Sequence, residues 1–183
     1  MEKSPYLIVN RLILRGITKD YEATFKEGLN IIWGDMDSGK SSILNIIDYC
    51  MGGSNNSLLY EEITSKARIA FLEVDLNGKV FTFERDIFEP TAPVKVYSTY
   101  FSDLTSTFPR LLAAASNKEM PDGWLSNFIL ESLGIARIKI KESKKEDSDS
   151  DRLSFRDLMK LLYLKQTKVS SDSLLNHGNP AVF

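Results

Sequence analysis

Apolar residues along the chain fall into short blocks whose spacing predicts an α/β fold. Residues 7–15 are rich in Ile, Val and Leu, which is typical of a β-strand, and residues 21–25 predict a second short strand. The apolar run 29–33 predicts a short buried strand. Over 41–51 the apolar residues recur at helical spacing, and Gly52-Gly53 ends the run. The pattern therefore predicts a strand, a loop and a helix in immediate succession.

A β-hairpin is the clearest element in the middle of the chain. After a polar connection over 53–66, apolar and polar residues alternate over 70–76, and Asn77-Gly78 is the strongest two-residue hairpin signal. Residues 80–87 predict the return strand. The acidic side chains of this hairpin are predicted to face solvent rather than to hold a metal; they are Glu73, Asp75, Glu84 and Asp86.

The second half of the chain combines further elements with one strongly polar segment. A strand is predicted over 94–99, a helix over 122–133 that Gly134 ends, and an amphipathic helix from the N-cap Ser154 to about Tyr163. Residues 141–152, KESKKEDSDSDR, contain almost no apolar side chain to offset the entropy of ordering. They therefore predict a mobile loop.

Composition excludes several classes of protein. The 183 residues are 43% hydrophobic and 26% charged with a net charge of −2, as in a globular chain with one core, so residues 1–183 are treated as one lobe. The apolar runs are too short for a transmembrane span and no signal-peptide pattern is present, so we expect a cytoplasmic protein with no membrane partner. One cysteine and one histidine exclude an internal disulfide and a zinc site.

The charge pattern leaves one local question open. The slight acidity argues against broad electrostatic wrapping of nucleic acid. Arg137, Lys139 and Lys141 alternate with apolar residues and could present a basic stripe to DNA, although a solvated strand face is the commoner explanation.

One motif carries specific chemistry. Gly34-x-x-x-x-Gly39-Lys40-Ser41 matches the phosphate-binding loop pattern at every specified position, between an apolar run and a helical pattern. Glycines let successive backbone N–H groups point at one anion, and the helix N-terminus adds its partial positive charge. We expect Lys40 to reach the β- and γ-phosphates and the Ser41 hydroxyl to bind Mg²⁺. The predicted nucleotide-binding residues are Gly34, Asp35, Met36, Asp37, Ser38, Gly39, Lys40, Ser41 and Ser42.

A GTPase is excluded by the motifs that accompany the loop. The base-reading Asn-Lys-x-Asp motif is absent, because Asn117-Lys118 is not followed by Asp at the required position. Asp75-x-x-Gly78 matches a GTPase-like pattern, but the hairpin explains it fully.

A wider pattern surrounds the loop in the stretches 12–16 (LILRG), 25–34 (FKEGLNIIWG) and 38–44 (SGKSSIL). This pattern resembles the opening of SMC/SbcC/RecN/RecF-type ATPase heads, which are of the ABC type. The continuation 46–52 (IIDYCMG) and the strand 80–85 (VFTFER) resemble the segments that follow in such heads. The resemblance implies a P-loop ATPase head, of which this chain is the N-terminal lobe with an antiparallel β subdomain.

The resemblance also implies cofactors and a further site residue. ATP and Mg²⁺ are the implied ligands. In such heads a glutamine after a helical segment contacts Mg²⁺ and the attacking water, and 161–166 (LLYLKQ) is similar to that stretch, which implies a catalytic and metal-binding role for Gln166. A surface glutamine after a helix is the alternative. Met36 and Asp37 depart from the Asn and Gly that such heads commonly have.

Two motifs of a complete head are missing from the sequence. The apolar strand ending in Asp-Glu and the Ser-Gly-Gly motif do not occur. The resemblance places both in a C-terminal lobe of the same or another polypeptide, and implies that intact heads form head-to-head homodimers that act in DNA repair, DNA maintenance or defence against foreign DNA. We expect a truncated chain or a natural half.

Two other functions remain open at this stage. A small-molecule or nucleotide kinase would also use Lys40 to position a phosphoryl group, but lid arginines and an acceptor pocket are not identifiable. A nucleotide-regulated interaction module would bind ATP without hydrolysing it.

Overall fold

A six-stranded antiparallel sheet is the central layer of the fold. The computed structural model describes residues 4–36, 38–54, 61–115, 121–141 and 150–163, and these form an α/β structure. The strands of the sheet are β1 (Leu7–Gly16), β2 (Asp20–Thr24), β3 (Ala67–Leu76), β4 (Lys79–Asp86), β5 (Val94–Tyr97) and β6 (Arg110–Leu112), in the order β2-β1-β3-β4-β5-β6. A second sheet pairs β7 (Lys139–Lys141) with β8 (Ser150–Arg152).

Four α-helices lie within the described residues. They are α1 (Lys40–Cys50), α2 (Glu61–Thr64), α3 (Leu125–Ser132) and α4 (Phe155–Leu162), with 3-10 helices at Phe101–Ser106 and Pro121–Gly123. The predicted helices over 41–51, 122–133 and 154–163 are confirmed, with α3 beginning three residues later than predicted. Within the described ranges, no helix is both long and apolar enough to cross a membrane.

The predicted hairpin is confirmed as β3 and β4. Asn77 and Gly78 have φ of 53° and 85°, the left-handed conformation that a two-residue turn of this kind requires. The Asp75 carboxylate accepts a hydrogen bond from the Gly78 N–H at 2.6 Å, which fixes the turn.

The two faces of the sheet are covered by different parts of the chain. Leu12, Leu72, Phe83 and Val96 are aligned across β1, β3, β4 and β5, and they belong to the core that also includes apolar side chains of α1, α3 and α4. On the opposite face the ring of Phe101 packs edge-on against Phe71, with centroids 5.1 Å apart.

This second face corrects one prediction about the hairpin. Glu73 is only 5% exposed, whereas the alternation predicted a solvent-facing carboxylate. Its Oε2 accepts hydrogen bonds from the Phe101 N–H at 2.9 Å and from Arg11 at 3.1 Å. The prediction was wrong because the segment around Phe101, distant in sequence, covers this face.

The predicted strand over 29–33 is also wrong. These residues form neither a helix nor a strand, and Leu29 and Trp33 are each 89% exposed. A strand needs a neighbour to take its backbone hydrogen bonds. Among the described residues, no strand pairs with this segment.

The polar stretches depart from their predictions in part. Within the connection predicted over 53–66, residues 61–64 form α2. At the two ends of the loop predicted over 141–152, Lys141 pairs with Ser150 and Ile140 with Asp151 in the β7–β8 ladder. Backbone pairing does not require apolar side chains, so a polar composition did not prevent it. Residues 142–149 lie outside the described ranges.

Candidate functional site

The phosphate-loop motif forms a turn that leads directly into α1. Gly39 is the N-cap of α1 with φ of 81°, in the left-handed region, and a Cβ added there would meet no atom within 4 Å. Among the described residues, no side chain caps this helix end. The first backbone N–H groups of α1, which have no carbonyl partner inside the helix, therefore remain available for a ligand.

Lys40 folds back over the loop. Its ammonium Nζ donates to the Gly34 carbonyl at 2.8 Å, to the Asp35 carbonyl, and to the Ser38 hydroxyl at 3.2 Å. The positive charge thus lies above the loop at the amino end of α1. Helix dipole, free N–H groups and ammonium act in the same direction, and together they favour an anion with several oxygen atoms such as a phosphate chain.

Ser41 supplies a hydroxyl beside this anion site. It is an exposed residue of the first turn of α1. A hydroxyl oxygen is a ligand type that Mg²⁺ accepts when phosphates complete its coordination. The donor set of the loop therefore fits a nucleotide with Mg²⁺.

Two arginines hold the carboxyl-terminal half of α1 against the rest of the fold. Arg85, only 4% exposed, donates to the carbonyls of Tyr49, Gly53 and Pro90, and its guanidinium lies 3.7 Å from the centre of the Tyr49 ring. Burial lowers the pKa of Arg85, while the neighbouring Tyr49 opposes that change. Arg156 of α4 donates to both oxygens of Asp48 at 2.5 and 3.3 Å.

A second contact joins α4 to α1 closer to the loop. The Tyr163 hydroxyl donates to Asn45 Oδ1 at 2.8 Å. Burial raises the pKa of Tyr163, and the negative charge of Asp48 adds to the effect. The hydroxyl is therefore protonated and able to donate at neutral pH.

The family of the chain follows from a comparison with protein-family models. A model described as an AAA domain matches residues 14–168, which is most of the chain. The chain belongs to the AAA domain family. This domain is found in SMC/SbcC-like P-loop ATPases, so the resemblance noted above is confirmed at that level. The family implies a nucleotide-binding, ATPase-like function. Comparison with curated proteins and with solved structures gave no significant match.

The AAA domain match extends over the loop and over Gln166. The structure brings together Gly34, Gly39, Lys40 and Ser41 at the start of α1. Asp37 and Gln166 lie outside the described residues, so their predicted roles stay predictions. In the predicted basic stripe, Arg137 is paired with Asp122 at 2.5 Å and with Glu131, which offsets part of its charge.

Sequence reasoning missed the charged side chains that hold α1 in place, which are Asp48, Arg85 and Arg156. Asp48 stands between Ile47 and Tyr49 and is the single carboxylate of α1, and a lone carboxylate among apolar neighbours is a signal for a buried partner. No comparable signal identifies Arg85 or Arg156, because the bond of Arg85 to Tyr49 joins positions 36 residues apart and that of Arg156 to Asp48 positions 108 residues apart.

Proposed function

We propose that this AAA domain is the ATP-binding, N-terminal lobe of an SMC/SbcC-like ATPase head. The phosphate loop, residues 34–42, binds the phosphates of ATP. Hydrolysis requires a C-terminal lobe, which supplies the Asp-Glu and Ser-Gly-Gly motifs missing here. The intact heads form a homodimer around the nucleotides.

The position of the Lys40 ammonium is the observation that carries this proposal. Lys40, the first residue of α1, places its charge over the loop carbonyls of Gly34 and Asp35. A glycine N-cap in the left-handed conformation leaves the helix N-terminus open in front of it. This combination of groups binds a polyphosphate better than any single one of them.

Mg²⁺ belongs to the same proposal. Ser41 provides a hydroxyl ligand, and Gln166 is the proposed second contact. When bound, Mg²⁺ neutralises charge on the β- and γ-phosphates. The contribution of α1 is to hold Ser41 in the first turn of the helix, next to the phosphate loop.

The exposed segment 29–33 supports the proposed partner lobe. It is apolar yet exposed, and it borders a cavity of about 320 Å³ lined also by Phe25 and by Ile43 of α1. An exposed apolar strip that no described strand pairs with is typical of a surface that another element covers. A strand from the C-terminal lobe would complete it.

A role in DNA repair, DNA maintenance or defence rests on the resemblance to SMC/SbcC-like heads. The local surface adds little to it, because Arg137 already pairs with Asp122 and Glu131. We therefore place any principal DNA contact outside the segment 137–141.

Nucleotide binding is tested by the thermal stability of the chain. Mg²⁺-ATP at 100 times its dissociation constant should stabilise the fold by about 2.7 kcal/mol, which raises Tm by several degrees. Lys40→Ala should remove most of that increase. Lys79→Ala, an exposed lysine in the distant hairpin, is the matched control and should keep the full increase.

A second readout separates this function from a kinase. An unchanged Tm in millimolar Mg²⁺-ATP, for a chain that is folded, would contradict nucleotide binding at the loop. Phosphoryl transfer from ATP to an added small-molecule acceptor, lost in Lys40→Ala, would instead favour the kinase.

A further inference from the structure

Among the described residues, the Lys40 ammonium has one side-chain partner, which is Ser38. Two of its three hydrogen bonds go to the backbone carbonyls of Gly34 and Asp35, and a backbone carbonyl is present whatever the residue. The third goes to the Ser38 hydroxyl, with 3.2 Å between Nζ and Oγ. The hydroxyl is therefore the one acceptor of the three that depends on the side chain present in the sequence.

The backbone of Ser38 is held within the loop. Its N–H donates to the Asp35 carbonyl at 3.3 Å, which ties the two residues together. Gly39 then takes φ of 81° and leads into α1, whose first residue is Lys40. The local course of the chain thus brings the hydroxyl and the ammonium together across a single glycine.

Gly34 leaves open the space beside the Ser38 hydroxyl. A Cβ added at Gly34 would lie 2.9 Å from Ser38 Oγ and 3.6 Å from Ser38 Cβ. The first distance is well inside a relaxed van der Waals contact, which is about 3.5–4.0 Å between carbon atoms. Gly34 is outside the left-handed region, so its backbone conformation does not itself require glycine.

The clash at residue 34 would fall on a group that can move. Oγ is the end of a rotatable side chain, so an alanine at this position would turn the Ser38 hydroxyl away and leave the loop backbone in place. The contact between Ser38 and Lys40 would then be lost. The geometry thus connects the first glycine of the motif to the lysine through the serine between them.

The hydroxyl differs from the two carbonyls in its freedom to follow the ammonium. The carbonyls of Gly34 and Asp35 are fixed by the loop backbone, whereas Ser38 Oγ moves by rotation about one bond. An ammonium has three donors. When phosphate oxygens take the donors that the carbonyls held, the third donor stays on Ser38, and the direction of the Lys40 side chain is kept.

We infer that Ser38 is a positioning residue for Lys40 in nucleotide binding, and that residue 34 is a glycine because the Ser38 hydroxyl needs the space. The inference rests on the proposed function, in which Lys40 binds the phosphates. It assigns to Ser38 an effect on affinity that acts through the lysine.

The test measures the dissociation constants of Mg²⁺-ATP and of inorganic tripolyphosphate for the full chain by isothermal titration calorimetry. Ser38→Ala removes the hydroxyl and should weaken the binding of both ligands about five-fold, as for the loss of one hydrogen bond. The same factor is expected for both because tripolyphosphate shares only the phosphates with ATP. Ser38→Thr keeps a hydroxyl and should bind both ligands like the unmodified chain.

Gly34→Ala tests the spatial part of the inference. It should also weaken binding about five-fold and leave the Tm of the chain without ligand unchanged, because rotation of the Ser38 side chain relieves the contact. The double variant Gly34→Ala/Ser38→Ala should bind no more weakly than Ser38→Ala, since no hydroxyl is left to displace and 3.6 Å is an ordinary distance between the two Cβ atoms.

Ser106→Ala is the matched control for the loss of a serine hydroxyl. Ser106 is exposed, and its hydroxyl donates to the Asp103 carbonyl at 2.6 Å, in a 3-10 helix outside the phosphate loop. This substitution should change neither dissociation constant.

The outcomes distinguish the inference from the proposed function. If ATP binds and Lys40→Ala abolishes binding, nucleotide binding at the loop stands. The positioning role of Ser38 is then overturned if Ser38→Ala binds ATP as tightly as the unmodified chain or more tightly. The assignment of Gly34 is overturned if the effects of Gly34→Ala and Ser38→Ala multiply in the double variant. If the folded chain binds neither ligand, the proposed function and the inference are both overturned.

Discussion

Asp48 and Arg85 are charged side chains inside the fold, and each is compensated in a different way. Arg85 is surrounded by backbone carbonyls and the face of Tyr49, so dipoles and a ring replace its hydration. Asp48 has a full counter-charge in Arg156. If either charge is removed, the groups that compensate it, the carbonyls around Arg85 or the guanidinium beside Asp48, lose their partner.

The Asp48–Arg156 pair gives a prediction for stability. Asp48→Asn should lower the free energy of unfolding by about 2–3 kcal/mol, between the values for exposed and fully buried pairs, because Arg156 is partly exposed. Arg156→Gln should cost less, since Asp48 then still faces the positive charge of Arg85. Urea denaturation without nucleotide measures both.

A double-mutant cycle completes that experiment. The coupling between Asp48→Asn and Arg156→Gln should exceed about 1 kcal/mol, because the two side chains touch. Equal losses in the two single variants with no coupling would show that the pair is no more than a surface contact.

At the scale of elements, α4 is a short helix that begins with a complete capping box. The Ser154 hydroxyl accepts from the Asp157 N–H, and the Asp157 carboxylate accepts from the Ser154 N–H at 3.0 Å. Lys160 donates to the same carboxylate at 2.8 Å. With only eight residues, such a helix depends on its ends more than on its own propensity.

Asp157 makes the stability of α4 dependent on pH. Burial raises its pKa, but the hydrogen bonds from Lys160 and Ser154 outweigh burial and lower the pKa below the usual 3.8. The carboxylate therefore stabilises the fold above about pH 4, and this contribution is lost as the pH falls through the folded-state pKa.

Asp157→Asn should therefore destabilise the chain by about 1 kcal/mol at pH 7, and the difference should shrink as the pH falls below 4. Unfolding curves of the two chains across this range test the prediction. A difference that stays constant down to pH 3 would contradict a role for the charge.

The elements that the sequence predicted are those whose signals are local. Ser154, Gly52 and Asn77-Gly78 mark ends and turns by their own conformational preferences, so α4, α1 and the hairpin were predictable. Glu73 was mispredicted because its cover comes from Phe101, 28 residues away. Likewise, Lys40 and Ser41 were predictable from their motif, whereas the contact of Tyr163 with Asn45 spans 118 residues of chain and has no local signal.

At the scale of the whole molecule, the apolar segment 29–33 lies next to the phosphate loop, and no described element covers it. Leu29 and Trp33 are almost fully exposed, and Trp33 directly precedes Gly34. A charged side chain in this segment would cost this chain little stability, because the apolar side chains it replaces are exposed. It would, however, place a charge in the interface with the proposed lobe.

Ile31→Glu should therefore change the stability of the chain alone by less than about 0.5 kcal/mol, while it prevents assembly with the C-terminal lobe. Co-purification of the two lobes and size-exclusion chromatography measure the effect. Ile17→Glu, at an isoleucine elsewhere that is also largely exposed, is the matched control and should assemble normally. Normal assembly of Ile31→Glu would remove this segment from the interface.

The chain alone should bind ATP but hydrolyse it near the background rate. The loop binds the ground state, whereas rate requires groups that orient water and stabilise developing charge. Loss of even one such group costs about 10²-fold or more. Phosphate release of about 1 s⁻¹ by the chain, absent in Lys40→Ala, would contradict the need for a second lobe.

The bonds that Lys40 makes to its own loop have a consequence for the energetics of association. A free lysine loses about 2 kcal/mol of rotamer entropy when a ligand fixes it. Here the Gly34 and Asp35 carbonyls hold the ammonium before any phosphate arrives, so that this cost belongs to folding rather than to binding. The loop is therefore preorganised. An incoming phosphate replaces the carbonyls as the acceptor of the Lys40 ammonium, which is already in place.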